Sequence, residues 1–370
     1  MANIDDLSTG LKQAFIQLIA KQTGIKIRER DRDALSENIF LRMKALQVAF
    51  PEDYYQLLNS KTLDSQQEWQ KLVVLLTNLE SYFFRDKEQF YLLQSKILPD
   101  IIERKQANKT IRICSAGCST GEEPYSLAIL LKEILPNLEQ WNLLVLGLDI
   151  NKEALQKAKI GTYRAWSFRN VDKLIKQRYF QIINDYYHIA PQIKPFVKFQ
   201  ILNLVNDPFP HPSSDLQDFD LILCRNVFIY FEPPAIAQVL DKFYHALQPL
   251  GYLLTGHSEL YGQTLNQFQT NVFPESLVYQ RREDSLGYPY QVSFPNNLTG
   301  YLEENLSLDM NRTTLERDLE KNNLKMQQSA LNLLKQLPAD TKLPKLGNLT
   351  AAELILQLES SLNAINPDSL

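Results

Sequence analysis

Between Ile113 and Ser126 an apolar run breaks into the small residues Cys114-Ser115-Ala116-Gly117-Cys118-Ser119-Thr120-Gly121 and restarts as Glu122-Glu123-Pro124-Tyr125-Ser126. Gly117 and Gly121 carry no Cβ, so the backbone between them can turn sharply and bring its amides against a ligand, while Pro124 suits a first helical turn. Leu127, Ile129, Leu130 and Ile134 then recur at helical spacing. A strand feeding a helix through such a turn is the opening unit of an α/β fold, where the turn is either a tight connection or a cofactor cradle. The spacing G-x-x-x-G followed by two glutamates departs from the dinucleotide pattern G-x-G-x-x-G and lacks the Walker lysine. It therefore predicts a different nucleoside cofactor.

The rest of the chain extends this unit. Short apolar runs at 111–116, 143–148, 197–202, 221–224 and 252–255 alternate with helical stretches at 122–135, 151–160 and 233–247. That alternation predicts a doubly wound, mostly parallel sheet with helices on both faces, Rossmann-like in class. Before it, residues 8–75 read as helices, with one apolar stripe at Leu11, Phe15, Ile16, Leu18 and Ile19 and another at Leu35, Ile39, Phe40, Met43 and Leu46. Residues 163–199 interrupt the alternation with a segment rich in aromatics, among them Tyr163, Trp166, Phe168, Tyr179, Phe180, Tyr186, Tyr187 and Phe196. It is read as an inserted antiparallel β-subdomain whose aromatics form either its own small core or a peptide-binding edge. Beyond Arg282 a Gly- and Pro-containing linker leads to a tail where Leu315, Leu319, Met326, Ala330, Leu333 and Leu337 predict an amphipathic helix. Thr350 and Glu353 form a capping box before a second one. The expected organisation is a helical domain at 1–75, a sheet domain at 76–284 carrying the insert, and a linker with helical extension at 285–370.

Composition narrows the function classes. A formal charge of −4 with no long basic block gives little support for nucleic acid or an anionic membrane as a general partner. Cys114, Cys118 and Cys224 cannot all pair, lie in or beside expected strands, and have no partner His or Cys at zinc spacing. They are expected to be reduced core thiols, with no metal. With no signal-peptide core and no apolar stretch near the ~18 residues of a membrane span, a cytoplasmic location is expected.

In a doubly wound sheet the ligand sits beyond the carboxyl ends of the strands, so polar residues there are the candidates. Asp149 follows the second strand, where a carboxylate can accept from both hydroxyls of a ribose or cap the next helix. Glu122, in the turn, either meets the ligand or complements the helix dipole. Asn203 and Leu204 end the third strand. Arg225 and Asn226 end the fourth, ahead of Val227-Phe228-Ile229-Tyr230-Phe231, and their many donors predict that they face a cavity. Upstream, Arg85 follows the aromatic run Tyr82-Phe83-Phe84.

These segments, in this order, resemble the CheR-type chemoreceptor glutamate methyltransferases, which use S-adenosylmethionine. The resemblance rests on Ser115 to Ser126, Tyr82-Phe83-Phe84-Arg85-Asp86, Asp149-Ile150, Cys224 to Phe231 and Gly256-His257-Ser258-Glu259, and it spans residues 8–282. It implies a class I methyltransferase fold, with Ser81, Arg85, Ala116, Glu122, Asp149, Asn203, Leu204, Arg225 and Asn226 at the cofactor and Arg85 and Tyr230 near the transferred methyl. It further implies that the helical domain faces a receptor's methylation helices and that the insert, as in some members, grips a receptor tail peptide. Two departures stand out. The family's N-x-T-x-F-F-R reads here Leu79-Glu80-Ser81-Tyr82-Phe83-Phe84-Arg85, with Asn78 one residue early and Ser81 keeping the hydroxyl. The helix ending Phe40 to Leu46 is poorer in arginine than in many relatives.

The chemistry fits a site without a base. A glutamate acceptor, with an ordinary pKa of about 4.3, is ionised at neutral pH, so His257 is not needed to remove a proton. The competing readings are a catalytically weak cofactor-binding scaffold acting through its tail and a small-molecule methyltransferase.

Overall fold

The computed structural model describes residues 7–283, except 136, 213, 258 and 261, together with scattered positions from 335 to 355. Contacts divide the chain into one compact unit, Met1–Thr270 with Val278–Leu286, and a second, Asn271–Leu277 with Gly287–Leu370. In the second, Lys342–Leu343 pairs antiparallel with Leu349–Thr350, a short pairing absent from the expectations. The expected tail helices from Leu315 onward fall almost entirely outside the described residues.

Helices α1 (Thr9–Thr23), α2 (Arg32–Leu46), α3 (Pro51–Asn59) and α4 (Leu63–Leu76) form the N-terminal region. The two apolar stripes meet there, burying Phe15, Leu18, Ile19, Leu35, Ile39 and Met43 with Tyr54, Leu58 and Leu72. The Glu68 carboxylate is buried in this core. It accepts both guanidinium hydrogen bonds of Arg42 at 2.8 Å and the Tyr54 hydroxyl at 2.8 Å, tying α2, α3 and α4 together. A buried carboxylate so satisfied fixes helix register, whereas removal of one partner would strand a charge.

After α5 (Lys87–Leu92), a π-helical turn at Leu93–Ile97 and α6 (Leu98–Arg104), the chain enters the main sheet. Its members are β1 (Thr110–Ala116), α7 (Glu122–Ile134), β2 (Asn142–Asp149) and α8 (Lys152–Ile160). Then come the inserted elements β3 (Thr162–Tyr163), α9 (Lys173–Tyr179), β4 (Phe180–Ile183) and β5 (Tyr186–Ile189). The chain returns through β6 (Val197–Ile201), β7 (Phe219–Cys224), α10 (Pro233–Ala246), β8 (Leu247–Thr255), β9 (Phe268–Val272) and β10 (Leu277–Arg281).

The seven-stranded sheet has the order β6-β2-β1-β7-β8-β10-β9. Ile113 faces Val145 on one side and Leu221 on the other, both in parallel register. From β1 the chain winds outward through β2 to β6 and then returns to β7 on the opposite side of β1. The winding therefore reverses between β1 and β7, where the crevice of such a sheet opens. Near-continuous apolar runs suit strands covered on both faces, and Phe219 to Cys224 are all buried. Cys114, Cys118 and Cys224 are buried free thiols, and burial pushes the thiol of each well up.

The insert folds as a three-stranded antiparallel sheet of order β3-β5-β4. Its core is built around Phe83 from outside the insert, whose ring lies 4.8 Å from Tyr163, 4.9 Å from Phe168 and 4.8 Å from Phe180. Trp166, Ile182, Ile183 and Tyr186 stay exposed, so the aromatic segment supplies both a small core and an open face. Among the described residues no helix is long and apolar enough to cross a membrane.

Candidate active site

An open cleft of about 1180 Å³, mouth included, lies beyond the carboxyl ends of β1, β2 and β7, and the 76–85 segment forms one wall. The turn after β1 brings its backbone to the cleft surface. Gly117 has φ +75°, and a Cβ there would meet Val227 Cγ2 at 2.3 Å, so a side chain is excluded both by conformation and by space. The amides of Gly117 and Cys118 donate to the Leu148 carbonyl at 2.8 and 3.0 Å, which locks the turn to the end of β2.

Asp149 emerges at that end. One carboxylate oxygen accepts from the Ser119 amide at 2.7 Å and the other from the Asn151 amide at 2.8 Å, leaving further lone pairs toward the cleft. Burial pushes its pKa up, against the pull of these backbone donors. A fixed carboxylate on a cleft wall can accept from vicinal hydroxyls.

Opposite lies an ion network. Arg225, almost fully buried, donates to Glu123 Oε2 at 3.0 Å, Asp86 Oδ2 at 2.7 Å and the Arg85 carbonyl at 2.6 Å. Ser115 at the tip of β1 donates to the other Glu123 oxygen at 2.7 Å. Phe84 and Asp86 both adopt left-handed backbone, with φ 52° and 57°, so the loop presenting Arg85 is held in an unfavourable shape that Arg225 clamps from below. The Arg85 guanidinium sits 5.4 Å from the Tyr82 ring centroid and donates only weakly, at 3.4 Å, to the Glu80 carbonyl. Its Nε is buried without a partner.

Tyr230 stands at the rim in the one-turn helix Phe228–Tyr230. Its carbonyl accepts from the Lys26 amide at 2.7 Å, the Ile229 carbonyl accepts from Arg28 at 2.8 Å, and Ile25 bridges Phe231. The connector between α1 and α2 thus pins the tyrosine's main chain.

Of the residues expected from sequence, Ser81, Arg85, Asp149, Asn203, Leu204, Arg225, Asn226 and Tyr230 all line this cleft. Ala116 and Glu122 do not. Ala116 is buried in the tip of β1. Glu122 lies buried below the turn, where it accepts from the Thr120 hydroxyl at 2.7 Å and the Ser167 hydroxyl at 3.1 Å, with Ser81 as a further donor. Burial raises its pKa and these donors oppose the rise. Asn203 lines the wall with its polar atoms committed elsewhere: Oδ1 accepts from the Val205 and Asn206 amides, and Nδ2 donates to the Gln22 carbonyl at 2.7 Å. His257 is exposed and is not part of the lining.

Sequence reasoning did not single out Glu123, Ser119, Val227 or Asn78, all of which line the cleft. Glu123 was masked by its neighbour. Two adjacent glutamates at a helix start differ by about 100° in direction, and only packing decides which one meets β7. Apolar wall comes from Ile25, Leu79, Ile150, Leu202 and Phe231.

Comparison with known proteins points the same way. The family model described as "CheR methyltransferase, SAM binding domain" matches residues 79–275, more than half of the chain. A chemotaxis protein methyltransferase of Borreliella burgdorferi is 33% identical over 249 residues, 66% of this chain and 86% of the relative. Chemotaxis protein methyltransferase 2 of Vibrio cholerae is 32% identical, covering 72% of this chain and 91% of the relative. The Escherichia coli chemotaxis protein methyltransferase is also 32% identical, over 68% of this chain and 85% of its own. Among solved structures, an S-adenosylmethionine dependent methyltransferase from Mesorhizobium loti matches at a TM-score of 0.24 and 15% identity, covering 49% of this chain and 62% of its own. So low a score adds nothing to a fold already defined by strand order.

Proposed function

This chain belongs to the CheR family of S-adenosylmethionine-dependent methyltransferases, and from that premise we propose that it methylates glutamate side chains on the cytoplasmic helices of a chemoreceptor. The products are a glutamyl methyl ester and S-adenosylhomocysteine. The observation that carries this reading is that a single cleft is lined by the Asp149 carboxylate and by Arg85 and Tyr230, a carboxylate suited to a ribose diol and a pair suited to an anionic acceptor.

The residues present suit the cofactor. Gly117 lets the turn take its left-handed backbone at the cleft surface, Asp149 offers free acceptor capacity to a ribose diol, and Leu202, Leu204 and Ile150 offer apolar surface for a purine. When bound, S-adenosylmethionine supplies a methyl carbon already activated by the positive sulfonium. The protein's own task is then alignment. An acceptor carboxylate is anionic without help, and holding it in line with the methyl carbon is worth several kcal/mol, within the roughly 7–11 available to well-oriented reactants.

Arg85 is proposed to hold one oxygen of the acceptor by a charge-assisted hydrogen bond, and the Tyr230 hydroxyl to fix its geometry. Too tight a clamp would stabilise the acceptor more than the transition state, so an arginine with one weak carbonyl contact is better suited than one held by a carboxylate. Ser81, Asn203, Leu204, Arg225 and Asn226 are assigned to the cofactor wall. Ala116 and Glu122 are assigned to supporting the turn from behind.

In this reading residues 1–75 face the receptor's helices and 76–284 carry the chemistry, in the cytoplasm. The exposed strand β4, with Ile182 and Ile183, is a candidate edge for a receptor tail peptide. The test is transfer of labelled methyl to receptor-containing membranes. Base-labile label on the receptor is expected, and in Arg85→Ala it falls at least 100-fold while calorimetry still detects cofactor binding. Absence of base-labile label with a cofactor-competent protein would remove glutamate as the acceptor.

A further inference from the structure

We propose that Asn78 is a positioning residue that sets the hydrogen-bond polarity of Tyr230, so that the phenol donates into the cleft. This deepens the assignment of Tyr230 above and rests on it. The Asn78 side chain is oriented by its own loop: Oδ1 accepts the Glu80 backbone N–H at 2.9 Å. An amide N–H can only donate, so that end of the side chain must be the carbonyl, and the other end must be the NH₂ group. The NH₂ group lies 3.2 Å from the Tyr230 hydroxyl oxygen. It too can only donate, so the phenol oxygen accepts there with a lone pair.

The consequence concerns the phenol's own hydrogen. A hydroxyl that met a carbonyl or carboxylate at that point would spend its proton on the protein. With the NH₂ group there instead, the proton stays available for a carboxylate entering the cleft, and an O–H that accepts one hydrogen bond donates the next more strongly. The backbone that presents the tyrosine is pinned through the Lys26 amide and the Ile25–Phe231 bridge, which fixes where its side chain starts. Arg28 lies over the ring face, its guanidinium 6.0 Å from the Tyr230 ring centroid.

Both Asn78 and Tyr230 are exposed in the free protein, so water competes for the bond and its worth there is small. Its value rises when an acceptor helix covers the mouth and lowers the local dielectric. The effect is thus expected in turnover rather than in cofactor affinity.

The experiment compares wild type with Asn78→Asp, Asn78→Ala, Tyr230→Phe and the double variant Asn78→Asp/Tyr230→Phe. Each is used as the full chain with receptor-containing membranes, together with calorimetry of S-adenosylhomocysteine binding. An aspartate at 78 presents an oxygen where the NH₂ group was and captures the phenol proton. It is expected to lower kcat by about tenfold, the worth of one hydrogen bond, and the alanine by less. Affinity for S-adenosylhomocysteine is expected to stay within about twofold, and Asn78→Asp to cost nothing further when Tyr230 is already phenylalanine.

Wild-type turnover in Asn78→Asp overturns the inference, as does an equal loss in the presence and absence of the phenol, or a parallel loss of product affinity. If Tyr230→Phe alone turns over at the wild-type rate, it is the assignment of Tyr230 that fails.

Discussion

The floor and the rim of the cleft are built on opposite plans. On the floor each polar side chain is held at more than one point: Asp149 by two amides, Arg225 by three acceptors, Glu123 by Ser115 and Arg225. At the rim Tyr230 has one side-chain hydrogen bond, at 3.2 Å, and Arg85 one, at 3.4 Å. A small cofactor of constant shape is best met by preorganised groups that need no rearrangement. A protein side chain arriving on a large partner needs groups whose hydrogen-bonding capacity is still free. Under the proposed function, the contrast assigns cofactor binding to the floor and acceptor geometry to the rim.

The largest break in that contrast is expected from the floor. Arg225→Ala leaves Glu123 and Asp86 as neighbouring carboxylates without their shared cation, and loss of one partner of a buried ion pair costs about 3–5 kcal/mol. Thermal unfolding is expected to shift down by roughly 5–9 °C for a unit of this size. A shift of only a degree or two would mean that the network does not hold the Arg85 loop. Next, Asp149→Ala removes the acceptor for two hydroxyls and is expected to weaken cofactor binding at least 100-fold, about 3 kcal/mol at charge-assisted hydrogen-bond strength. Calorimetry with S-adenosylhomocysteine measures it, and affinity within tenfold of wild type would move the ribose elsewhere.

At the rim, Tyr230→Phe is expected to lower kcat by about tenfold with cofactor affinity unchanged, the value of one hydrogen bond made in the transition state. A large loss of cofactor affinity in this variant would erase the distinction between floor and rim.

How much of this was legible follows from what each feature depends on. Strands buried on both faces announce themselves as apolar runs, so 111–116 and 143–148 anticipate Thr110–Ala116 and Asn142–Asp149 within a residue at each end. Strand β8 begins at Leu247 rather than 252, because Gln248, Pro249 and Gly251 carry no apolar signal and fall in an irregularity between the pairs Phe219–Leu247 and Leu221–Tyr252. The edge strand Phe268–Val272, with Gln269, Thr270 and Asn271 inside it, was not read for the same reason, and neither were the helices between Lys87 and Arg104.

In the site, strand-end residues were legible because topology sends strand ends to the crevice. The choice between Glu122 and Glu123 was not, since it depends on helix rotation against β7. Nor did the one-residue offset of Asn78 from the family pattern reveal its partner. Its contact with Tyr230 spans 152 positions and exists only once the 78–85 loop folds over the cleft.

The smallest expected effect concerns the layer beneath the floor, and its sign is fixed by linkage. Burial raises the pKa of Glu122 above its ordinary value, so between the unfolded and folded values the native state holds more protons than the unfolded chain. Stability then falls as pH rises through that window, and above it Glu122 is a net cost. Glu133 and Asp215 run the other way: their lowered pKa values contribute stability that is lost only as pH falls through them, so the two sets can be separated by pH. Glu122→Gln removes the charge and keeps an oxygen for one of the Thr120 and Ser167 hydroxyls, while its NH₂ group donates to the other hydroxyl's oxygen. It is expected to raise the melting temperature of the cofactor-free protein by about 1–3 °C at pH 7. The gain should shrink toward zero as pH is lowered into the ordinary carboxylate range, with S-adenosylhomocysteine affinity nearly unchanged. Calorimetric melts at several pH values measure the first outcome. A collapse of cofactor affinity in the same variant would instead move Glu122 from beneath the floor into it.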